Sequence, residues 1–290
     1  MNYDFIIDNM TWSFSRVSSF ENCALAWKLN YIECADRENN FFAEFGLLVH
    51  AALEKYFRDE LEVYELAQWY QNNYDKFVKT PVPPFPPNME EGYFKSGLNY
   101  FENFDFPKHE YEVLGIEDSF DVKIGDYTVV IKPDLFLRHK NTKKNILCDY
   151  KSSVLFKPTS SNKNVIYLSK GQREYPYTFK NKDKREQLVH YVRQMYLYCY
   201  GLKQYYNIDI NEIQLWFVRH NKTLLFPYRT EKSKESIDWF IEEISLIEKE
   251  EDWQPITFGL DEKQLKKVSY WCNFLCSFRS ICDCKAPIGD

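Results

Sequence analysis

The chain predicts an α/β fold with a mixed central β-sheet flanked by helices, and three features carry that expectation. Apolar residues at helical spacing dominate the first hundred positions, Val-, Ile- and Phe-rich runs bounded by polar turns occupy 111–152, and a long helical run precedes two more strand-like segments. A length of 290 residues and 35.0 kDa, with 44% hydrophobic and 18% aromatic content, suffices for one large core or two modest ones. No apolar run reaches the roughly 18 residues that span a bilayer. The opening MNYDFIIDNMTW has neither the basic start nor the apolar core of a secretion signal, so the expectation is a cytoplasmic protein with no membrane partner. A net charge of −6 excludes a bulk polycation, yet basic clusters around 140–144, 180–185 and 263–267 permit a nucleic-acid partner.

Taken in order, TWSFSRVSSFENCALAWKLNYI offers Ser18 or Ser19 as an N-cap, then Phe20, Ala24, Trp27 and Tyr31 at helical spacing, with Cys23 in the first turns. A second amphipathic helix over 44–59 turns Phe45, Leu48, Val49, Ala52, Leu53 and Tyr56 inward and sets His50 one turn from Glu54. More helix follows to 77, and TPVPPFPPN, with five prolines, forces an extended connector before a short helix over 90–103. Strands are expected over 111–122, 127–137 and 145–152, in meander order. The lysine-rich, weakly periodic segment 156–184 reads as a long loop or a lid. A helix over 185–205, a strand in INEIQLWFVRH paired with TLLFPYR, a helix over 233–249 and a cysteine-rich tail complete an α/β sandwich without internal repeats. The chain is read as one domain, 1–290, with a helical part over 1–110, a core over 111–230 and a closing helix and tail over 231–290.

The stretch IKPDLFLRHKNTKKNILCDYKSS sets two acids and a lysine inside apolar runs, and its polar middle makes the flanking runs a β-hairpin with Asp134 and Asp149 on neighbouring strands. Side chains alternate across a strand, so Asp149 and Lys151 share one face while Cys148 and Tyr150 share the other. An unpaired buried carboxylate is costly, and a divalent cation would relieve it. Carboxylate oxygens suit Mg²⁺ or Mn²⁺, and an imidazole from His50 suits Mn²⁺.

In GLLVH at 46–50, KPD at 132–134, DYK at 149–151 and QMYLY at 194–198, the chain resembles the PD-(D/E)xK nuclease superfamily, specifically its RecB-type domains. The motifs fall in the family's order over most of the chain; each alone is weak, the set is specific. The resemblance implies a restriction-endonuclease-like core in which His50, Asp134, Asp149 and the Tyr150 carbonyl ligate the metal and Lys151 orients or polarises the attacking water. Glu117 is either one more ligand or a strand cap, and Pro133 fits a bend that aims Asp134. The Q-x-x-x-Y motif has two versions on one helix face, Gln194 with Tyr198, closer to the family's run, and Gln187 with Tyr191; His190 and Arg193 touch DNA or simply solubilise the helix. The implied activity is metal-dependent hydrolysis of DNA, as an exonuclease or endonuclease acting on single-stranded or end-containing substrate, in a repair, recombination or phage setting. A noncatalytic nucleic-acid-binding or adaptor module is the alternative. No G-x-x-x-x-G-K-[ST] occurs, so a helicase partner would be a separate protein.

Eight cysteines in a reducing compartment suggest metal or cofactor chemistry rather than disulfides. Cys272, Cys276, Cys282 and Cys284 crowd the last nineteen residues, and three thiolates there need a fourth ligand. Resemblance to AddB-type nucleases and CRISPR-associated exonucleases, with one cysteine before the core and three after it, implies a [4Fe–4S] cluster on Cys23, Cys272, Cys276 and Cys282 that joins the two ends of the chain. Here the tail reads C-x-x-x-C where the family has C-x-x-C, Cys284 could replace Cys282, and zinc suits four thiolates as well. Cys34, Cys148 and Cys199 read as small buried hydrophobes.

Overall fold

Alternation along the strand Asn145–Lys151 organises the molecule: Leu147 enters one apolar core, while Ile146, Cys148 and Tyr150 enter another on the opposite face. The structure is a computed structural model that describes residues 3–157, 179–180 and 182–283, with the backbone of 165–167. In chain order the elements are α1 (Asp4–Asp8), β1 (Trp12–Ser13), α2 (Phe14–Asn22), α3 (Ala24–Tyr31), α4 (Phe41–Phe57), α5 (Leu66–Phe77), α6 (Met89–Glu102), β2 (Tyr111–Ile116), β3 (Phe120–Ile124), β4 (Tyr127–Ile131), β5 (Leu135–His139) and β6 (Asn145–Lys151). They continue as β7 (Val165–Tyr167), α7 (Lys182–Tyr206), β8 (Glu212–Phe217), β9 (Lys222–Pro227), α8 (Thr230–Glu248) and α9 (Glu262–Tyr270).

Among the described residues one sheet runs β2-β5-β6-β8-β9-β7 and another β1-β4-β3. β5 and β6 form the expected hairpin, β8 runs parallel to β6, and β9 returns antiparallel to β8. The fold is therefore mixed α/β, as the sequence predicts. The meander is not what forms. The expected strand over 111–122 breaks at Glu117 and the one over 127–137 at Lys132 and Pro133, so β2 pairs with β5 while β3 pairs with β4 in the other sheet. Pro133 cannot donate to a ladder, and Glu117 takes the left-handed region at φ 53, where no strand can continue.

Helices α4, α5 and α6 cover the Tyr150 face through an aromatic-rich core, and α2, α3, α7 and α8 cover the Leu147 face. The first expected helix is in fact two: Ser13 caps α2, and Cys23, extended at φ −169 and ψ 112, ends it and caps α3 through Sγ on the Ala26 N–H at 3.4 Å. α4 begins at Asn40, whose Oδ1 accepts the Ala43 N–H. Buried Glu44 accepts from the Lys79 and Thr80 amides and the Thr80 hydroxyl, tying the proline connector to α4. Gly201 lets α7 lie against β4, since a Cβ there would stand 2.5 Å from Ile131 Cγ1. Of the expected loop over 156–184, a bridge between Phe156 and Phe179 and the strand β7 are seen; whether it forms a lid lies outside the described residues, as does Cys284. No helix among the described residues is long and apolar enough to cross a membrane.

Candidate metal centre

The two strand breaks meet. Glu117 N donates to Asp134 O at 3.1 Å, so the residue ending β2 and the residue preceding β5 stand side by side. His50 reaches them from α4: Nδ1 lies 3.0 Å from Glu117 Oε1 and 3.8 Å from Asp134 Oδ2, and Nε2 lies 3.2 Å from the Tyr150 carbonyl. Both ring nitrogens face acceptors, which is the pattern of an imidazolium. Burial opposes that charge, but Asp134, Glu117 and Asp149 outweigh it and lift the His50 pKa to about 9.

Asp134 is buried, its Oδ2 accepts the Tyr150 N–H at 2.8 Å, and burial followed by the Asp149 charge pushes its pKa to about 7. Glu117 moves the other way: burial is outweighed by hydrogen bonds from His50 and from Lys132, which is 2.8 Å away. Asp149 keeps 2% exposure. Its Oδ2 pairs with Lys151 Nζ at 2.6 Å. Like-charged carboxylates repelling in a buried space are what a dication corrects.

Lys151 is fixed from several sides. Its ammonium donates to Gln194 Oε1 at 3.0 Å, Gln194 Nε2 donates to the Tyr198 hydroxyl at 3.1 Å, and the Tyr191 ring lies 4.4 Å from Nζ. The other motif version also points here: Gln187 Nε2 donates to Tyr191 OH at 2.6 Å, and Tyr191 OH donates to Ser153 Oγ at 3.0 Å. One helix thus supplies both pairs, Gln194 to the lysine and Tyr191 beneath it. The Asp149 charge outweighs burial and raises the Lys151 pKa, so it remains an ammonium. His190 and Arg193 lie elsewhere, His190 against Glu21 at 3.3 Å and Arg193 over the Trp239 ring.

His50, Glu117 and Asp134 form a group whose ligand atoms all lie within 4.8 Å of one another, close enough for one divalent ion. Two carboxylates and an imidazole fit Mn²⁺ or Mg²⁺ chemistry. Glu117 is the member the sequence left open; its signal was a run of strand formers interrupted by EDS at 117–119.

At the other end, Cys23, Cys272, Cys276 and Cys282 line one mainly apolar cavity with Leu25, Leu29, Ile256 and Trp271. The Ile256 N–H points at Cys23 Sγ and the Phe278 N–H at Cys276 Sγ, each at 3.4 Å. Burial, with the neighbouring sulfurs adding, pushes the Cys276 thiol up to about 11. No disulfide joins the described cysteines. Cys148 and Cys199 are buried as expected, whereas Cys34 is exposed.

A mixed sheet whose broken strands gather carboxylates, an imidazole and a buried lysine gives a group that could hold one divalent cation. The family model described as "PD-(D/E)XK nuclease superfamily" matches residues 11–283, and the chain belongs to that superfamily. No curated protein matches the chain. A solved structure described as "Crystal structure of SSO0001" is 15% identical and covers 93% of this chain and 98% of that one, at a TM-score of 0.30 that carries no argument.

Proposed function

We propose that the protein is a metal-dependent deoxyribonuclease, an exonuclease that hydrolyses phosphodiester bonds in single-stranded or end-containing DNA. The observation that carries this reading is the convergence of His50, Glu117 and Asp134 beside the buried Asp149–Lys151 pair. His50, Asp134 and Asp149 with the Tyr150 carbonyl, joined by Glu117, would hold Mn²⁺ or Mg²⁺. Such an ion lowers the pKa of bound water and offsets charge on the scissile phosphate. Lys151 does the rest as a fixed cation: held by Gln194 and Tyr191, it faces developing negative charge without having to reorganise. Tyr198 orients Gln194 and so acts through it.

The reading includes a [4Fe–4S] cluster on Cys23, Cys272, Cys276 and Cys282, with 1–290 acting as one cytoplasmic domain and a helicase or recombination protein as a separate partner. Zinc is the alternative occupant, because four thiolates suit it as well.

Protein purified without oxygen should be brown, contain iron and degrade DNA with Mn²⁺ or Mg²⁺ but not with EDTA. Unchanged activity in Asp149→Ala or Lys151→Ala would refute the catalytic assignment. Metal-independent DNA binding without degradation would favour the adaptor reading.

A further inference from the structure

Just past the end of β8, the 3₁₀ turn Val218–His220 carries the cation of Arg219. β8 runs parallel to β6 with Phe217 opposite Lys151, so Arg219 emerges two residues on, at the carboxyl end where open α/β sheets bind their ligands. The Arg219 guanidinium lies 3.4 Å from the centre of the Tyr93 ring, and Nε donates to Ser96 Oγ at 3.3 Å, both on α6. No carboxylate reaches Arg219 or Lys180 at ion-pair distance among the described residues. Among the described residues this half-buried guanidinium is held by a ring and a hydroxyl, with no counter-charge to offset its desolvation.

Its surroundings are cationic as well. Lys180 N donates to Leu155 O at 3.0 Å, and the Leu155 and Phe156 amides donate to His220 Nε2 at 3.1 and 3.3 Å, which brings Lys180 beside Arg219 and His220. Lys184, on the first turn of α7, donates to Gln187 at 2.9 Å. Burial and then Lys180, Arg219 and Lys222 push His220 down to about 4, so it stays neutral, fit to accept those two amides rather than to bind an anion. The same loop, 152–156, leaves β6 directly after Lys151.

We propose that Arg219, with Lys180, is a second phosphate-binding station, which takes a backbone phosphodiester neighbouring the one at the metal-binding group. The inference rests on the nuclease reading and deepens it: a planar guanidinium grips phosphate oxygens in pairs, and two stations hold one strand in register. Residue types alone hid Arg219, because FVRH ends an apolar strand and reads as a solvated terminus.

The test measures binding of a short oligothymidylate to the full protein with Ca²⁺ in place of the catalytic ion, over a salt series. Arg219→Gln should weaken binding roughly tenfold at low salt and reduce the slope of log affinity against log salt by about one, with Arg219→Lys keeping most of both. A single methylphosphonate linkage, moved along the strand, should at one position weaken the wild type and not Arg219→Gln. Should Arg219→Gln fail to fold, exposed Lys180→Ala carries the test through the same slope. Wild-type affinity and slope in folded Arg219→Gln and in Lys180→Ala, while the wild type still binds and degrades DNA, would overturn this inference alone. A wild type that binds no single strand overturns it together with the nuclease reading.

Discussion

Metal binding should expel protons, and the number follows from the two perturbed groups at the centre. His50 is held above its ordinary value, so its charged form stabilises the metal-free protein below about pH 6.5 and that contribution is lost as pH rises through about 9. Asp134 is also held up, at about 7, by burial and Asp149, so the metal-free protein loses stability as pH rises from about 4 to about 7. A dication needs both groups deprotonated, and its affinity must therefore rise with pH. Between pH 6 and 8 His50 contributes about two decades of affinity and Asp134 about one, roughly 4 kcal/mol in all. His50 keeps 31% side-chain exposure, so solvent screening makes that figure an upper bound. Calorimetric titration with Mg²⁺ or Mn²⁺ at pH 7, in two buffers of different ionisation heat, should count about 1.5 protons released per ion. His50→Gln should lower the count by about one. A dissociation constant that is flat from pH 6 to 8, with almost no proton release, would refute the reasoning.

Other substitutions separate charge, cluster and packing. Lys151→Ala should slow DNA cleavage by on the order of a hundredfold or more while the protein still binds DNA, as single-turnover kinetics would report; its metal-free melting temperature should also drop, because Asp149 loses its cation, and Mn²⁺ should restore much of that. Glu117→Gln should weaken Mn²⁺ binding and lower the His50 pKa, which an NMR titration of the imidazole reads directly. Cys276→Ser should cost iron and melting temperature together while Cys199→Ser retains iron, by elemental analysis and calorimetry. Gly201→Ala should destabilise by about 1–3 kcal/mol in denaturant unfolding, because α7 must move off Ile131.

The parts of the site that a strand's period of two fixes could be read before any coordinates. Asp149 and Lys151 on one face and Tyr150 on the other follow from alternation alone, and the polar segment between the two apolar runs gives the hairpin of β5 and β6. Both glutamine–tyrosine pairs were visible as a helix face, and the structure uses both, which spacing could not decide. What escaped were chain breaks. The runs 111–122 and 127–137 are apolar throughout their flanks, so periodicity alone continues each strand, and the switch into a second sheet depends on long-range pairing. Cys23 reads as part of a helix's first turns because serines are the stronger caps; its role as the cap itself depends on a sulfur turned toward Ala26 and Ile256 from opposite ends of the chain.

Those breaks explain why charge can lie inside this sheet. An unbroken β2 or β4 would carry its residues alternately into two apolar cores and leave no room for acids. Ending both ladders at one level frees Glu117 and Asp134 to turn toward each other, at the cost of a left-handed φ of 53 at a residue other than glycine. Such a conformation costs on the order of 1–3 kcal/mol. Lys132 and His50 both anchor the Glu117 carboxylate, so the strained backbone is held by charge from two sides. Acid and imidazole are thus positioned by elements whose own pairing ends where the chemistry begins. Substitutions in the β4–β5 junction should therefore reach metal affinity before they reach the cores, because the junction contributes the break and the cores do not depend on it.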